Sequence, residues 1–274
     1  MQRLKEFLSY TLMKNGQYAS VKQDEYLETE VKEDETLVTE IDLKLSDVIG
    51  EDIREYSEKN NLDYYIVDEE KSPIYSEYDK AEYSWVIDPI DGTVNYSLNF
   101  PMWGVSIGLL KNNKPYAGGI YLPSLKVMIL TDNEKVYTYD FEEQELIEYK
   151  ELKRNLSNNT NANILTNMTN SANREYKITG GMNSIYNSAI CNLYYTIIGT
   201  SLATIQAVKL WDNAACFSIG TVLGFKIYDV DTQKEINTYN KEILNEDFGF
   251  VNNLVFVKEV NKEKIFSLIE KRNT

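Results

Sequence analysis

Apolar residues recur at three- and four-residue intervals from the first residues of the chain, where Leu4, Phe7, Leu8 and Leu12 stand among charges in MQRLKEFLSYTLMKNG. This spacing predicts an amphipathic helix and argues against an export signal, whose apolar run is continuous. The same period returns at Leu45, Val48, Ile49, Ile53 and Tyr56, so a second helix is expected over about 43–56. Beyond Asn60 the pattern shortens to apolar runs that close on carboxylates, Tyr64 to Val67 and Ser84 to Ile87, and then a longer run from Trp103 to Leu110. These read as strands. The turn KNNK leads into Tyr116–Leu122, Val127–Leu130 and Val136–Tyr139, an antiparallel meander.

From Phe141 to Thr160 the chain turns charged and then Asn-rich, which marks a surface connection and divides it into an N-terminal α+β half, 1–145, and a C-terminal α/β half, 146–274. In the second half Ile190–Ile198 reads as a strand or buried run, and Ser201–Lys209 and Trp211–Val222 as short helices. Phe225–Val230 reads as a strand, and Val260–Lys271 as a terminal amphipathic helix. The plan is mixed α/β, with helices layered on sheets.

Composition narrows the chemistry. The 274 residues include no histidine, so Ser-His-Asp and Cys-His catalysis, phosphohistidine and His-ligated zinc are excluded. A formal charge of −15 disfavours nucleic acid polymers and anionic membranes as partners and suits cations. Cys191 and Cys216, each in an apolar stretch, read as reduced core thiols, and no apolar run approaches the ~18 residues of a spanning helix. A soluble cytoplasmic protein is expected.

The chemistry concentrates in Ser84-Trp85-Val86-Ile87-Asp88-Pro89-Ile90-Asp91-Gly92-Thr93-Val94-Asn95-Tyr96. A strand delivers Asp88 at its end, Pro89 stops the ladder, Asp91 returns three residues later and Gly92 allows a tight turn, so two carboxylates converge. With the Ile90 carbonyl they offer the oxygen ligands that hard cations such as Mg²⁺ accept, and the Gly92 and Thr93 amides follow as anion donors. Cation ligands abutting anion donors point to a metal-bridged phosphate.

That run, with Phe100–Leu109 after it, resembles the signature of the inositol monophosphatase superfamily. Three further segments match in order: Leu37-Val38-Thr39-Glu40-Ile41-Asp42, Val67-Asp68-Glu69-Glu70-Lys71-Ser72 (the family's Gly-Glu-Glu-Ser) and Trp211-Asp212-Asn213-Ala214-Ala215. The resemblance implies a layered α-β-α-β-α sandwich, commonly dimeric, and a lithium-sensitive phosphomonoesterase with two or three Mg²⁺ ions. It implies that Glu69 ligates the first ion, that Asp88 bridges two, that Ile90 gives its carbonyl, and that Asp91 and Asp212 hold the second. Gly92 and Thr93 would bind phosphate, and Asp42 with Thr93 and Glu69 would serve catalysis on the attacking water. A small phosphorylated alcohol (sugar, polyol or inositol phosphate) is the expected substrate. Two cations about 4 Å apart would neutralise its charge and acidify a water. Alone, Asp42 could instead cap the helix from Leu43 and Asp212 the helix from Asn213.

One stretch departs from the family. Gly199-Thr200-Ser201 resembles its Gly-Thr-Ser-like segment, which precedes a helix, a strand and a loop before Trp-Asp. Only Ser201–Leu210 separate Thr200 from Trp211, so the strand is expected to be absent or severely shortened, leaving open whether Asp212 reaches the site. None of those residues is acidic, whereas the inositol enzymes hold ring hydroxyls there with an acidic residue. Alternatives are therefore a 3′-phosphonucleotide or sugar bisphosphate phosphatase, with Lys209 pairing a second phosphate, or a non-catalytic binding protein with a degraded site. Tyr194 and Tyr195 could stack on a ligand or simply pack. A haloacid-dehalogenase-type reading of Lys226–Asp231 fails at Gln233, where a Thr or Val is wanted.

Overall fold

The first helix, α1 (Leu4–Gln23), buries Leu4, Leu8 and Leu12 on one stripe, as their spacing dictates. The structure is a computed structural model and describes residues 1–23, 29–31, 37–151, 165–168, 170–180 and 182–272. After the short antiparallel pair β1 (Thr29–Val31) and β2 (Leu37–Thr39) comes α2 (Glu40–Lys59), three residues longer at its start than the apolar pattern predicts. Asp42 thus lies inside the first turn of α2 and does not cap a helix beginning at Leu43.

A seven-stranded sheet follows in sequence order: β3 (Tyr64–Asp68), β4 (Tyr83–Asp91), β5 (Gly104–Lys111), β6 (Lys114–Leu122), β7 (Val127–Thr131), β8 (Val136–Asp140) and β9 (Glu145–Glu148). The one-turn helices α3 (Tyr75–Tyr78) and α4 (Thr93–Ser97) flank β4. Only β3 and β4 are parallel, and the meander expected from Trp103 to Tyr139 is present. The charged stretch after Phe141 is not merely a connection, because Glu145–Glu148 forms the exposed edge strand; charged side chains suit a strand with one open edge. The Asn-rich part, 152–160, lies outside the described residues.

The second sheet has the order β12-β10-β13-β15-β14, built from β10 (Leu165–Met168), β12 (Met182–Ser184), β13 (Ala203–Gln206), β14 (Phe225–Asp229) and β15 (Leu254–Lys258). Around it lie α5 (Asn170–Glu175), β11 (Tyr176–Ile178), α6 (Ala189–Ile197), α7 (Ala214–Val222), α8 (Lys262–Phe266) and β16 (Ile269–Lys271). Three expectations are corrected here. Ile190–Ile198 is helical, because Ser188 caps it by accepting from the Cys191 amide at 3.2 Å. Ser201–Lys209 is not a helix, for its middle forms β13, fully buried between β10 and β15. Val260–Lys271 breaks after Phe266, and Ile269–Lys271 pairs with β11 instead.

The cores stack as five layers. Trp85, Ile87, Val105 and Ile107 face α1 and α2. From the opposite face, Val86, Ile120 and Ile129 join Ile190 and Leu193 of α6, Ala214 and Phe217 of α7, and Ile227 and Phe256 of the second sheet. The far face of that sheet, Ala203, Ile205, Val255 and Val257, packs on Ala172 and Tyr176 and on Ile265 of α8. The α-β-α-β-α layering follows from strand alternation, which assigns successive residues to opposite faces. Gly108 lets α7 lie close on the first sheet, since a Cβ there would stand 2.6 Å from the Ala214 Cβ.

Candidate active site

In a regular strand, residues three apart face opposite sides, so Asp88 and Asp91 would diverge. In β4 the register runs Asp88 to Ser106 and then Asp91 to Gly104, so β4 holds one residue more than its partner. This bulge reverses the alternation: Ile90 joins Trp85 and Ile87 on the α1/α2 side, while both aspartates face α6 and α7. Pro89 therefore does not end the ladder, which resumes at Asp91; lacking an N–H, it occupies the bulge.

Asp212, just ahead of α7, completes the group, with one carboxylate oxygen each from Asp88, Asp91 and Asp212 lying within 4.8 Å of one another. The strand β13 and a short loop are enough to bring it there. Asp212 does not cap α7, whose first residue is Ala214; it accepts the Lys209 amide at 2.7 Å. The helix, strand and loop expected before Trp-Asp are α6, β13 and 207–210. The segment that precedes this helix is Asn187-Ser188-Ala189 and not Gly199-Thr200-Ser201, so the apparent shortening was a misplaced match. With it goes the support for a degraded site.

Asp91 is held by the start of α6: the Ser188 hydroxyl donates to its Oδ2, the Ala189 amide to Oδ1 at 3.0 Å and the Ile190 amide to Oδ2 at 3.2 Å. Burial nevertheless outweighs these donors and pushes its carboxyl up to about 6. Asp88 is pushed well above the ordinary range by burial, then by the charges of Glu69, Asp91, Asp212 and Asp42. Burial, then Glu69 and Asp91, raise Asp212 likewise, against the Lys209 amide. Asp88 Oδ1 is buried without a hydrogen-bond partner. An orphaned carboxylate oxygen beside two more carboxylates is a costly arrangement that a divalent cation resolves, and oxygen-only donors fit a hard one.

Glu69 is half-buried and is not in that close group, but its charge is felt by Asp88 and Asp212. It lines a neighbouring cavity of about 500 Å³ together with Lys71, Lys209 and Trp211. The turn presenting it is fixed by Asp68, a buried carboxylate that stands at the Gly of the family pattern. Asp68 accepts from Ser46 Oγ of α2 at 2.7 Å and from the Glu70 amide at 3.1 Å. On the other side Gly92, with φ of 86°, starts α4; a Cβ there would meet the Met102 carbonyl at 2.9 Å. Thr93 Oγ1 lies 3.0 Å from the Ile90 carbonyl and 3.3 Å from Asp42 Oδ2, so one hydroxyl proton has two acceptors.

Beside Asp91 and Asp212 opens a cavity of about 450 Å³ whose lining includes Arg174, Asn187, Ser188 and Asn192. Of these only Ser188 carried a sequence signal, as a hydroxyl three residues before a helical amide. Lys209 points elsewhere: its ammonium bonds the Asp247 carbonyl at 2.9 Å and lies 5.7 Å from the centre of the Trp211 ring. Tyr194 and Tyr195 pack on each other with ring centres 5.4 Å apart. Cys191 and Cys216 are free and buried. Among the described residues no helix is long and apolar enough to cross a membrane.

The chain has relatives among known proteins. The chain is 24% identical over 221 residues to the 3′(2′),5′-bisphosphate nucleotidase CysQ of Salmonella typhimurium, covering 79% of this chain and 86% of that one. It is 44% identical over 73 residues to a fructose-1,6-bisphosphatase/inositol-1-monophosphatase of Aquifex aeolicus, a match to 27% of this chain that spans only 26% of that relative. The solved structure of the Thermotoga maritima IMPase superposes with a TM-score of 0.71 at 21% identity, covering 97% of this chain and 96% of that one. A sequence model of the family matches residues 10–274, taking in every segment that builds the carboxylate group, and the chain therefore belongs to the inositol monophosphatase family of phosphatases.

Proposed function

We propose that the chain is a Mg²⁺-dependent phosphomonoesterase acting on a small phosphorylated alcohol. The observation that carries this reading is the group of buried Asp88 and Asp91 with half-buried Asp212, with an unsatisfied oxygen on Asp88, opening on a cavity of ligand size. These three carboxylates, with Glu69 and the Ile90 carbonyl, are the residues that would hold the cations. When bound, such cations neutralise the phosphate and lower the pKa of water.

The protein's own groups do the rest. Thr93 Oγ1, already 3.3 Å from Asp42 Oδ2, accepts a hydrogen bond from the attacking water and passes its own proton toward Asp42. Asp42 is buried in the first turn of α2, where its carboxylate stands within hydrogen-bond reach of the Thr93 hydroxyl. The amides of Gly92 and Thr93 open α4 and orient the phosphate by donating to its oxygens. No covalent enzyme intermediate is required. A homodimer is part of the same proposal, by analogy with the family.

The test is phosphate release from a panel of sugar, polyol, inositol and nucleotide phosphates, with Mg²⁺ and with chelator. Chelator-sensitive release from one class is expected. Asp88→Asn should lose activity together with Mg²⁺ binding, whereas Thr93→Ala should lose roughly 100-fold in kcat with Mg²⁺ binding intact. Near-normal turnover by Asp88→Asn would sink the assignment.

A further inference from the structure

The cavity beside Asp91 and Asp212 has an unusual charge arrangement for a polyol site. Among the described residues its only carboxylates are those two, which belong to the cation-binding group, and its only cationic side chain is Arg174. A guanidinium can donate to hydroxyls, but its planar, charged fork matches a carboxylate or phosphate best.

Arg174 is exposed, but the backbone that carries it is anchored. The Arg272 Nε donates to the Asn173 carbonyl at 2.9 Å and to the Tyr176 carbonyl at 3.0 Å, and the Arg272 amide donates to the Glu175 carbonyl at 2.7 Å. Ala172 and Tyr176, on either side, are buried in the outer core layer. The adjacent Glu175 does not consume the guanidinium, since its carboxylate takes the Asn253 amide at 3.1 Å. In a chain with 43 acidic residues, Arg174 forms no ion pair among the described residues. An arginine on an anchored backbone, without an ion pair among the described residues, thus lines the same cavity as the cation group, so a phosphate held there through the cations extends its alcohol along a wall that includes Arg174.

We propose that Arg174 binds a second anionic group, a phosphate or a carboxylate, on the alcohol whose phosphate is removed. The substrate class is then an alcohol phosphate carrying a further acidic group, and neutral polyol phosphates are the poorer substrates. This rests on the phosphatase reading above.

Matched ester pairs test it, each differing in one anionic group: glycerol 2-phosphate against 2-phosphoglycerate, and a hexose 1-phosphate against the hexose 1,6-bisphosphate, all with Mg²⁺. The wild-type protein should favour the more anionic member of at least one pair, and the pair favoured identifies the anion as carboxylate or phosphate. Arg174→Ala should raise KM for that member about 10- to 100-fold, the range for losing a charge-assisted hydrogen-bonded pair, with kcat and the KM of the neutral partner little changed. Arg174→Lys should recover part of the loss, and thermal unfolding of both variants should match wild type. Equal KM values within both pairs, or a loss in Arg174→Ala that is the same for both members, would overturn the inference while leaving the phosphatase intact. No release from any ester would end both readings.

Discussion

Replacing Asp88 by Asn should stabilise the protein without cations and destabilise it, relative to wild type, with them. Asp88 is 1% exposed, lacks a partner at Oδ1 and has oxygens of Asp91 and Asp212 within 4.8 Å. At an effective dielectric of ~20, two unit charges at that separation repel by about 3.5 kcal/mol. Partial protonation of the raised carboxyls caps the cost, so removing one charge should gain on the order of 2 kcal/mol at pH 7.5, roughly 4–8 °C in Tm for a chain of this size. Mg²⁺ at about 100 times its Kd should add ~2.7 kcal/mol to wild type and little to the variant, so the order of the two Tm values inverts. Thermal unfolding of both proteins in chelator and in a Mg²⁺ series reads this directly. A less stable Asn variant in chelator, or equal Mg²⁺ shifts in both, would refute the claim that Asp88 builds a cation site.

Three more perturbations follow from the same geometry. Because the Asp91 carboxyl is raised to about 6, the folded state binds its proton more tightly than the unfolded chain. Its stabilising contribution is full below about pH 4 and is lost as pH rises through about 6. Tm of the chelated protein should fall over that window, and Asp91→Asn should flatten the fall. Ser46→Ala removes the donor to the buried Asp68 and should cost about 1–3 kcal/mol in denaturant unfolding while weakening Mg²⁺ binding through Glu69; unchanged Mg²⁺ affinity would separate Asp68 from the site. Gly108→Ala should cost about 1–3 kcal/mol, since its Cβ would overlap Ala214 and lift α7, and with it Asp212, from the first sheet. Its Tm and Mg²⁺ affinity should drop together.

Much of the fold was readable along the chain wherever an element has one buried and one open face. The stripe of α1, the period of α2 and the meander through Val136 carry their own signatures, because burial on one side imprints a period of 3.6 or 2. That signal fails in β13, four residues buried on both faces, which reads along the chain as part of a helix, while Ile190–Ile198, which reads as a strand or buried run, proves to be the helix α6. What settles β13 is its pairing with Leu254–Lys258, some fifty residues later.

The site divides along the same line. Residue identity alone excluded imidazole chemistry and marked Asp88 and Asp91 as oxygen ligands, for the types of side chain in the chain limit its chemistry whatever its shape, while Asp212 entered only through the family resemblance. Only the tertiary structure decided that Asp88 and Asp91 share a face, through a bulge that exists because β5 is one residue short opposite them. Only it brought Ser188 and the α6 amides to Asp91, 97 to 99 positions away, Ser46 to Asp68, and Arg174 to the cavity. Contacts between residues so far apart leave no local period, because they arise from how sheets and helices stack and not from what any one segment prefers.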